Sequence, residues 1–180
     1  PNAEILLPNI GLNPNRTGIL EVLIEMGANI TVNNKTTDMG EPRGDIIVKS
    51  SKLKGINIDK NTIPKIIDEI PILSLAACFA STQTIIDDAE ELRVKESDRI
   101  KATVTGLSKL GADIQETEQG MIINPSNKLI GNQVESYGDH RIAMMLGIAG
   151  LLSDKTTIIE GAEHASVSYP NFWDEIESKK

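Results

Sequence analysis

Apolar positions recur at helical spacing in two segments that match each other along the chain. Leu20 to Ile30 (LEVLIEMGANI) and Val104 to Ile114 (VTGLSKLGADI) lie 84 residues apart. Each carries an apolar stripe (Leu20, Leu23, Met26; Val104, Leu107, Leu110) and then the pattern Gly-Ala-x-Ile. Gly27 and Gly111 fall where a helix ends in a left-handed residue, and the isoleucine is expected to open a strand. A second pair is separated by 73 residues: Ile72, Leu75, Ala76 and Phe79 precede Thr84-Ile85-Ile86, as Met145, Ile148, Ala149 and Leu152 precede Thr157-Ile158-Ile159. These two helices are apolar nearly all round, which predicts burial on every side. The chain therefore contains an internal repeat.

The same patterning predicts strands over Glu4–Pro8, Asn29–Asn33, Asp45–Ser50 and Gly55–Ile58, and an amphipathic helix over Pro14–Met26. A buried helix over Pro71–Ala80 leads to a strand at Gln83–Asp87. A helix over Asp98–Leu110 leads to a hairpin of Asp113–Thr117 with Met121–Asn124. Arg141–Leu152 is the second buried helix, followed by a strand at Thr156–Glu160 and a short helix at Asn171–Ser178. This alternation predicts a mixed α/β (α+β) fold of repeated β-α-β-α-β-β units, two complete and one partial. Residues 1–180 read as a single domain. The last helix leads into no strand, which fits either a natural C-terminus or a unit completed from elsewhere in a longer protein.

Composition narrows the function classes. Of 180 residues, 39% are hydrophobic but only 3% aromatic, so aliphatic side chains fill the interior. The net charge of −8 argues against general binding of nucleic acid or anionic membranes, so an anionic ligand needs a local cluster of cations. Cys78 is the only cysteine, which excludes an intrachain disulfide, and His140 and His164 have no partner at zinc spacing; no metal and no cofactor is expected. The longest apolar runs, Ile70–Ala80 and Ile142–Leu152, are 11 residues each, against about 20 for a bilayer span. The start of the chain lacks a basic segment followed by an apolar run, so the expectation is a soluble, cytoplasmic protein with no signal peptide.

Charged residues gather where the predicted helices begin. In Val94-Lys95-Glu96-Ser97-Asp98-Arg99, Ser97 is a fair N-cap, which puts Arg99 at the second helical position near the positive end of the dipole. A cation is disfavoured there unless an anion shares the spot, so Ser97-x-Arg99 with Lys95 upstream is a candidate anion site. The alternative is a solvated helix start paired internally, Glu96 and Asp98 with Arg93 and Arg99. Tyr137-Gly138-Asp139-His140-Arg141 repeats the arrangement, with Asp139 as cap and Arg141 at the second helical position. His140 by itself fits a structural role. Asp68, just before the first buried helix, can cap it and still face a cleft. If the two buried helices are equivalent, Asp68, Asp139 and Arg141 face one region: a hollow ringed by helix starts, with two guanidiniums for an anion and carboxylates to move protons.

At this level of detail Glu91-Leu-Arg-Val-Lys-Glu-Ser-Asp-Arg99 resembles the signature of the EPSP synthase family, the enolpyruvyl transferases of the shikimate pathway. Asp139-His140-Arg141-Ile142-Ala143-Met144 resembles its second signature. Asn13-Pro14-Asn15-Arg16-Thr17-Gly18, Ile67-Asp68-Glu69-Ile70-Pro71 and Ser168-Tyr169-Pro170 follow the family order, so the likeness runs over the whole chain. It implies the enolpyruvyl transferase-like fold, with substrates held between two similar domains. This chain then corresponds to most of the C-terminal half, without the N-terminal domain, and is expected to be inactive alone; the full-length protein is expected to be a monomer.

The implied reaction moves the carboxyvinyl group of phosphoenolpyruvate to the 5-hydroxyl of shikimate 3-phosphate and releases phosphate. Carried over by motif, Asp68 accepts the hydroxyl proton, Glu96 exchanges a proton with the methylene carbon, and Lys95 contacts the hydroxyl and steadies developing charge. Arg99 and Arg141 clamp phosphoenolpyruvate, and His140 supports that clamp. Val167 stands where some family members carry a lysine ligand. The alternatives are UDP-N-acetylglucosamine enolpyruvyl transferase, whose reactive cysteine lies in its other domain, and a non-catalytic domain that keeps the fold.

Overall fold

The computed structural model describes residues 2–126 and 128–178. Three small sheets surround a set of short helices. β1 (Glu4–Gly11), β2 (Asn29–Asp38) and β3 (Glu41–Lys49) form an antiparallel sheet in the order β1-β3-β2, with α1 (Gly18–Glu25) between β1 and β2. β4 (Asn57–Ile58), α2 (Ile63–Ile66), α3 (Ile70–Cys78), β5 (Thr84–Ile86), α4 (Arg99–Lys109), β6 (Ile114–Glu116) and β7 (Met121–Ile123) follow, and their strands pair in the order β4-β5-β7-β6. β8 (Gln133–Glu135), α5 (His140–Leu151), β9 (Ile158–Glu160) and α6 (Phe172–Glu177) end the described chain, with β8 parallel to β9. Short 3₁₀ segments cover Glu90–Val94 and Ala162–Val167.

The two sequence repeats map onto two structural roles. α3 and α5 each carry the chain from one strand to a parallel neighbour, β4 to β5 and β8 to β9, which is the connection parallel pairing requires. α1 and α4 each end at a glycine of positive φ, Gly27 (+95°) and Gly111 (+90°), and feed an antiparallel hairpin, β2–β3 and β6–β7. The middle sheet is therefore the one complete β-α-β-α-β-β unit among the described residues, where the sequence led us to expect two. The strand that reframes the repeat is β8, which contains a single apolar residue, Val134, and carries too little pattern to be read alone.

Other boundaries also shift. The Asn13–Arg16 stretch is a turn, with the Asn13 carbonyl accepting from the Arg16 amide at 2.8 Å, so α1 starts at Gly18 and not at Pro14. β2 and β3 run beyond expectation to a tight Met39-Gly40 turn with both φ values positive, the geometry that matches hairpin twist. The outer half of β2 is polar and exposed on both faces, which leaves no alternation to read, and β3 opens on the part-buried Pro42 and Arg43.

The core is continuous from Val22 and Met26 through Ile66, Leu73 and Leu75 to Leu107, Leu146 and Ala149. α5 packs against α3, α4 and α6, and α3 against α4, so the buried helices lie at the centre. Cys78 sits in this core, where burial pushes its thiol up to about 12 and keeps it unreactive. No helix among the described residues is long and apolar enough to cross a membrane. The packing brings the first residues of α3, α4 and α5 together.

Candidate active site

Asp139 organises this meeting point. Its backbone precedes α5 in extended conformation, and its Oδ1 accepts the Arg141 amide at 2.9 Å, the cap expected from the sequence. The same carboxylate accepts from Arg99 Nε at 2.8 Å, from Arg99 Nη2 at 3.4 Å and from the Ser97 hydroxyl at 3.1 Å. It is fully buried and Arg99 is 3% exposed. Burial by itself would raise the Asp139 carboxyl, but the Arg99 hydrogen bonds and charge, helped by the Arg141 amide and Ser97, outweigh it and hold the group below the usual carboxylate range. The turn leading in is strained: Tyr137 has φ +55° and Gly138 φ +74°, and the Asp139 amide closes it on the Ser136 carbonyl at 3.0 Å.

Asp68 is the second node. Its Oδ1 lies 3.3 Å from Arg99 Nη1 and its Oδ2 2.9 Å from Arg141 Nη2, while its carbonyl accepts from Arg141 Nη1 at 3.0 Å. Two expected caps are thereby corrected. Asp68 does not cap α3, whose N-cap is Glu69 without a side-chain bond, because the Asp68 carboxylate is committed to the two guanidiniums. Ser97 does not cap α4: Asp98 does, through the Lys101 amide at 3.0 Å, and Arg99 becomes the first helical residue. The anion that makes a cation tolerable at that position is the Asp139–Asp68 carboxylate pair.

Glu96 reaches the same cluster, its Oε2 lying 2.8 Å from His140 Nδ1 and 3.5 Å from Arg99 Nη2. Of the six residues the sequence singled out, Asp68, Glu96, Arg99, His140 and Arg141 thus form one network, although three separate segments contribute them. Lys95 stands aside: its ammonium pairs with Glu91 one turn earlier. Internal pairing of the Arg93-to-Arg99 stretch also holds, with Arg93 bound to Asp98 at 2.9 Å and to Glu116 at 2.7 Å. Asp139, read from sequence as a cap facing the common hollow, proves to be the shared partner of both helix starts. Glu96, Asp139 and His140 bring one ligand atom each within 4.8 Å of one another, yet these atoms already serve Arg99, Ser97 and one another, and a cation would have to break those pairs.

Asp68 lines two hollows. One, about 280 Å³, is walled by Glu69, Pro71, Arg141, Met144 and Tyr169; the other, about 170 Å³, by Asn15, Arg16, Lys65 and Glu69. Burial raises the half-buried Glu69 carboxyl, with Arg141 opposing the shift. Arg141 is 28% exposed on its side chain, against 3% for Arg99, and its buried Nε has no partner among the described residues. Val167 lies at the end of the 3₁₀ segment, 75% exposed.

Comparison with known proteins agrees over nearly the whole chain. The family model described as EPSP synthase (3-phosphoshikimate 1-carboxyvinyltransferase) matches residues 1–176. A Bacillus cereus 3-phosphoshikimate 1-carboxyvinyltransferase is 52% identical over 177 residues, and one from Thermoanaerobacter sp. is 51% identical over 173; these cover 98% and 96% of this chain. The chain spans 41% of the length of either relative. Two structures of EPSP synthase from Acinetobacter baumannii superpose with TM-scores of 0.93 and 0.91 at 42% and 39% identity, covering 99% and 98% of this chain and 42% and 41% of theirs.

Proposed function

The chain belongs to the EPSP synthase family, and from that membership we propose that it forms most of the C-terminal half of a two-domain enzyme joining phosphoenolpyruvate to the 5-hydroxyl of shikimate 3-phosphate. The observation that carries the reading is the convergence of Asp68, Glu96, Arg99, His140 and Arg141 at the starts of α3, α4 and α5, beside a hollow of about 280 Å³. An addition–elimination reaction needs this set: a group to protonate the methylene carbon, one to take the hydroxyl proton, and donors for carboxylate and phosphate.

In the addition, Glu96 gives its proton to the methylene carbon of phosphoenolpyruvate while Asp68 takes the proton of the attacking 5-hydroxyl, giving a tetrahedral ketal phosphate. In the elimination, Glu96 takes a proton back from the new methyl group, the double bond re-forms and phosphate leaves with its electron pair. Arg141, part-exposed in the wall of the larger hollow, binds the phosphoenolpyruvate anion. Arg99, buried between Asp139 and Asp68, holds the other side of that clamp and orients Asp68. His140 acts through Glu96, to which it is bonded. Lys95 turns from Glu91 toward the substrate hydroxyl when substrate is bound.

Electrostatics support a site completed by the rest of the protein. The carboxylates of Asp68 and Asp139 already match the two guanidiniums (Arg99, Arg141), so the cluster has no surplus positive charge for two phosphorylated substrates. The missing cations come from Lys95 and from the N-terminal domain, and the full-length enzyme works without a resident cofactor as a cytoplasmic monomer. The full-length protein is therefore expected to release phosphate from phosphoenolpyruvate when shikimate 3-phosphate is the acceptor and not when UDP-N-acetylglucosamine is, in a continuous phosphate assay. Turnover with the nucleotide sugar alone would transfer the assignment to the related enzyme, and turnover with neither would leave a fold without this chemistry.

A further inference from the structure

In the loop that carries Lys95 and Glu96, side chains make the contacts, Glu96 with His140 and Ser97 with Asp139, while the backbone has little to hold it. Val94 is 82% exposed, and among the described residues Glu96 and Ser97 make no backbone–backbone hydrogen bond. The loop is fixed at its ends. At the far end, Arg99 is locked to Asp139 and Asp68. At the near end stands Arg93, whose guanidinium is used on every nitrogen: Nη1 donates to Asp98 Oδ2 at 2.9 Å and to Glu116 Oε1 at 2.7 Å, Nε to the Glu118 carbonyl at 3.1 Å, and Nη2 to the Thr117 carbonyl at 2.6 Å. Asp98 is itself anchored, its other oxygen capping α4. Arg93 thus closes residues 94–97 into a staple between the start of α4 and the turn of the β6–β7 hairpin.

We propose that Arg93 is a positioning residue of the active site. It sets the path of the 94–97 loop and so aims the Glu96 carboxylate at His140 and at the reacting carbon. The inference rests on the proton-transfer role given to Glu96 above. Lysine keeps the charge but lacks the planar fork that reaches two carboxylates and two carbonyls at once. Misplacement of a reacting group by about 1 Å can cost up to about 100-fold in rate.

The test uses full-length Arg93→Lys. The expected result is a kcat lowered about tenfold or more, KM for both substrates little changed, a thermal midpoint near the wild type, and faster amide hydrogen exchange in peptides covering 94–97 but not in α4. A variant with wild-type kcat, or one whose lost activity only tracks a lost folded fraction, overturns the proposal. Should Arg93→Lys fail to fold, Glu116→Gln at the exposed end of β6 removes one charged acceptor and is expected to give the same pattern more weakly; wild-type kcat and exchange there would also overturn it. An inactive wild-type enzyme would defeat the functional reading alone, since the exchange measurement still reports what Arg93 holds.

Discussion

Glu96→Gln in the full-length enzyme is expected to lower kcat by about 10²- to 10⁴-fold, the usual worth of a positioned acid–base group, while leaving both KM values near wild type. The substitution suits the geometry. Gln keeps an oxygen that can accept from His140 Nδ1 and lie beside Arg99 Nη2, so the network that Glu96 closes stays connected. What is lost is the ability to give a proton to carbon and take one back. Steady-state phosphate release at saturating substrates measures it. A purely structural Glu96 would tolerate Gln with kcat nearly intact, and a substrate-binding Glu96 would show the loss in KM.

The largest effect on stability is expected at Asp139. Asp139→Ala strips a fully buried guanidinium partner and the cap of α5 in one step, and removing one member of a buried pair costs about 3–5 kcal/mol. The pH dependence has a definite sign. Arg99, the Arg141 amide and Ser97 hold the folded-state Asp139 carboxyl below its unfolded value, so its contribution is complete above the unfolded carboxylate range and fades as pH falls through the depressed folded value. Urea unfolding of the two proteins should thus differ by a constant amount from pH 7 to about 5, and the gap should narrow as pH falls below about 4. A difference under about 1 kcal/mol at pH 7, the worth of an exposed ion pair, would remove Asp139 from its central place.

Much of this was legible because the two repeats encode packing. An apolar helix without a polar face has to be central, and two of them with equivalent neighbours have to start on the same side; Asp68 and Arg141 are joined across 73 residues for that reason. Helix caps were less legible. Ser97 and Asp98 are both good capping residues, and the choice fell to Asp98 because the Ser97 hydroxyl is drawn to Asp139, a partner 42 residues away that no local pattern reveals. Lys95 and Glu91 stand four apart, a spacing that favours their pairing, while the active-site role came only from the family signature. The short strand β8 and the polar outer half of β2 escaped because shortness or exposure removes alternation, the one local signal a strand has.

Binding of phosphoenolpyruvate to the full-length enzyme, titrated at equilibrium with shikimate 3-phosphate present, bears most directly on the claim that these helix starts build an anion clamp. Arg141→Ala removes the part-exposed guanidinium that lines the hollow and leaves the Arg99–Asp139 pair untouched. The expected result is affinity weakened about 30-fold or more, the equivalent of about 2 kcal/mol for a truncated charge contact, with the fold intact. Wild-type affinity in that variant would mean that the ligand is held elsewhere and that the cluster serves only to join α3, α4 and α5.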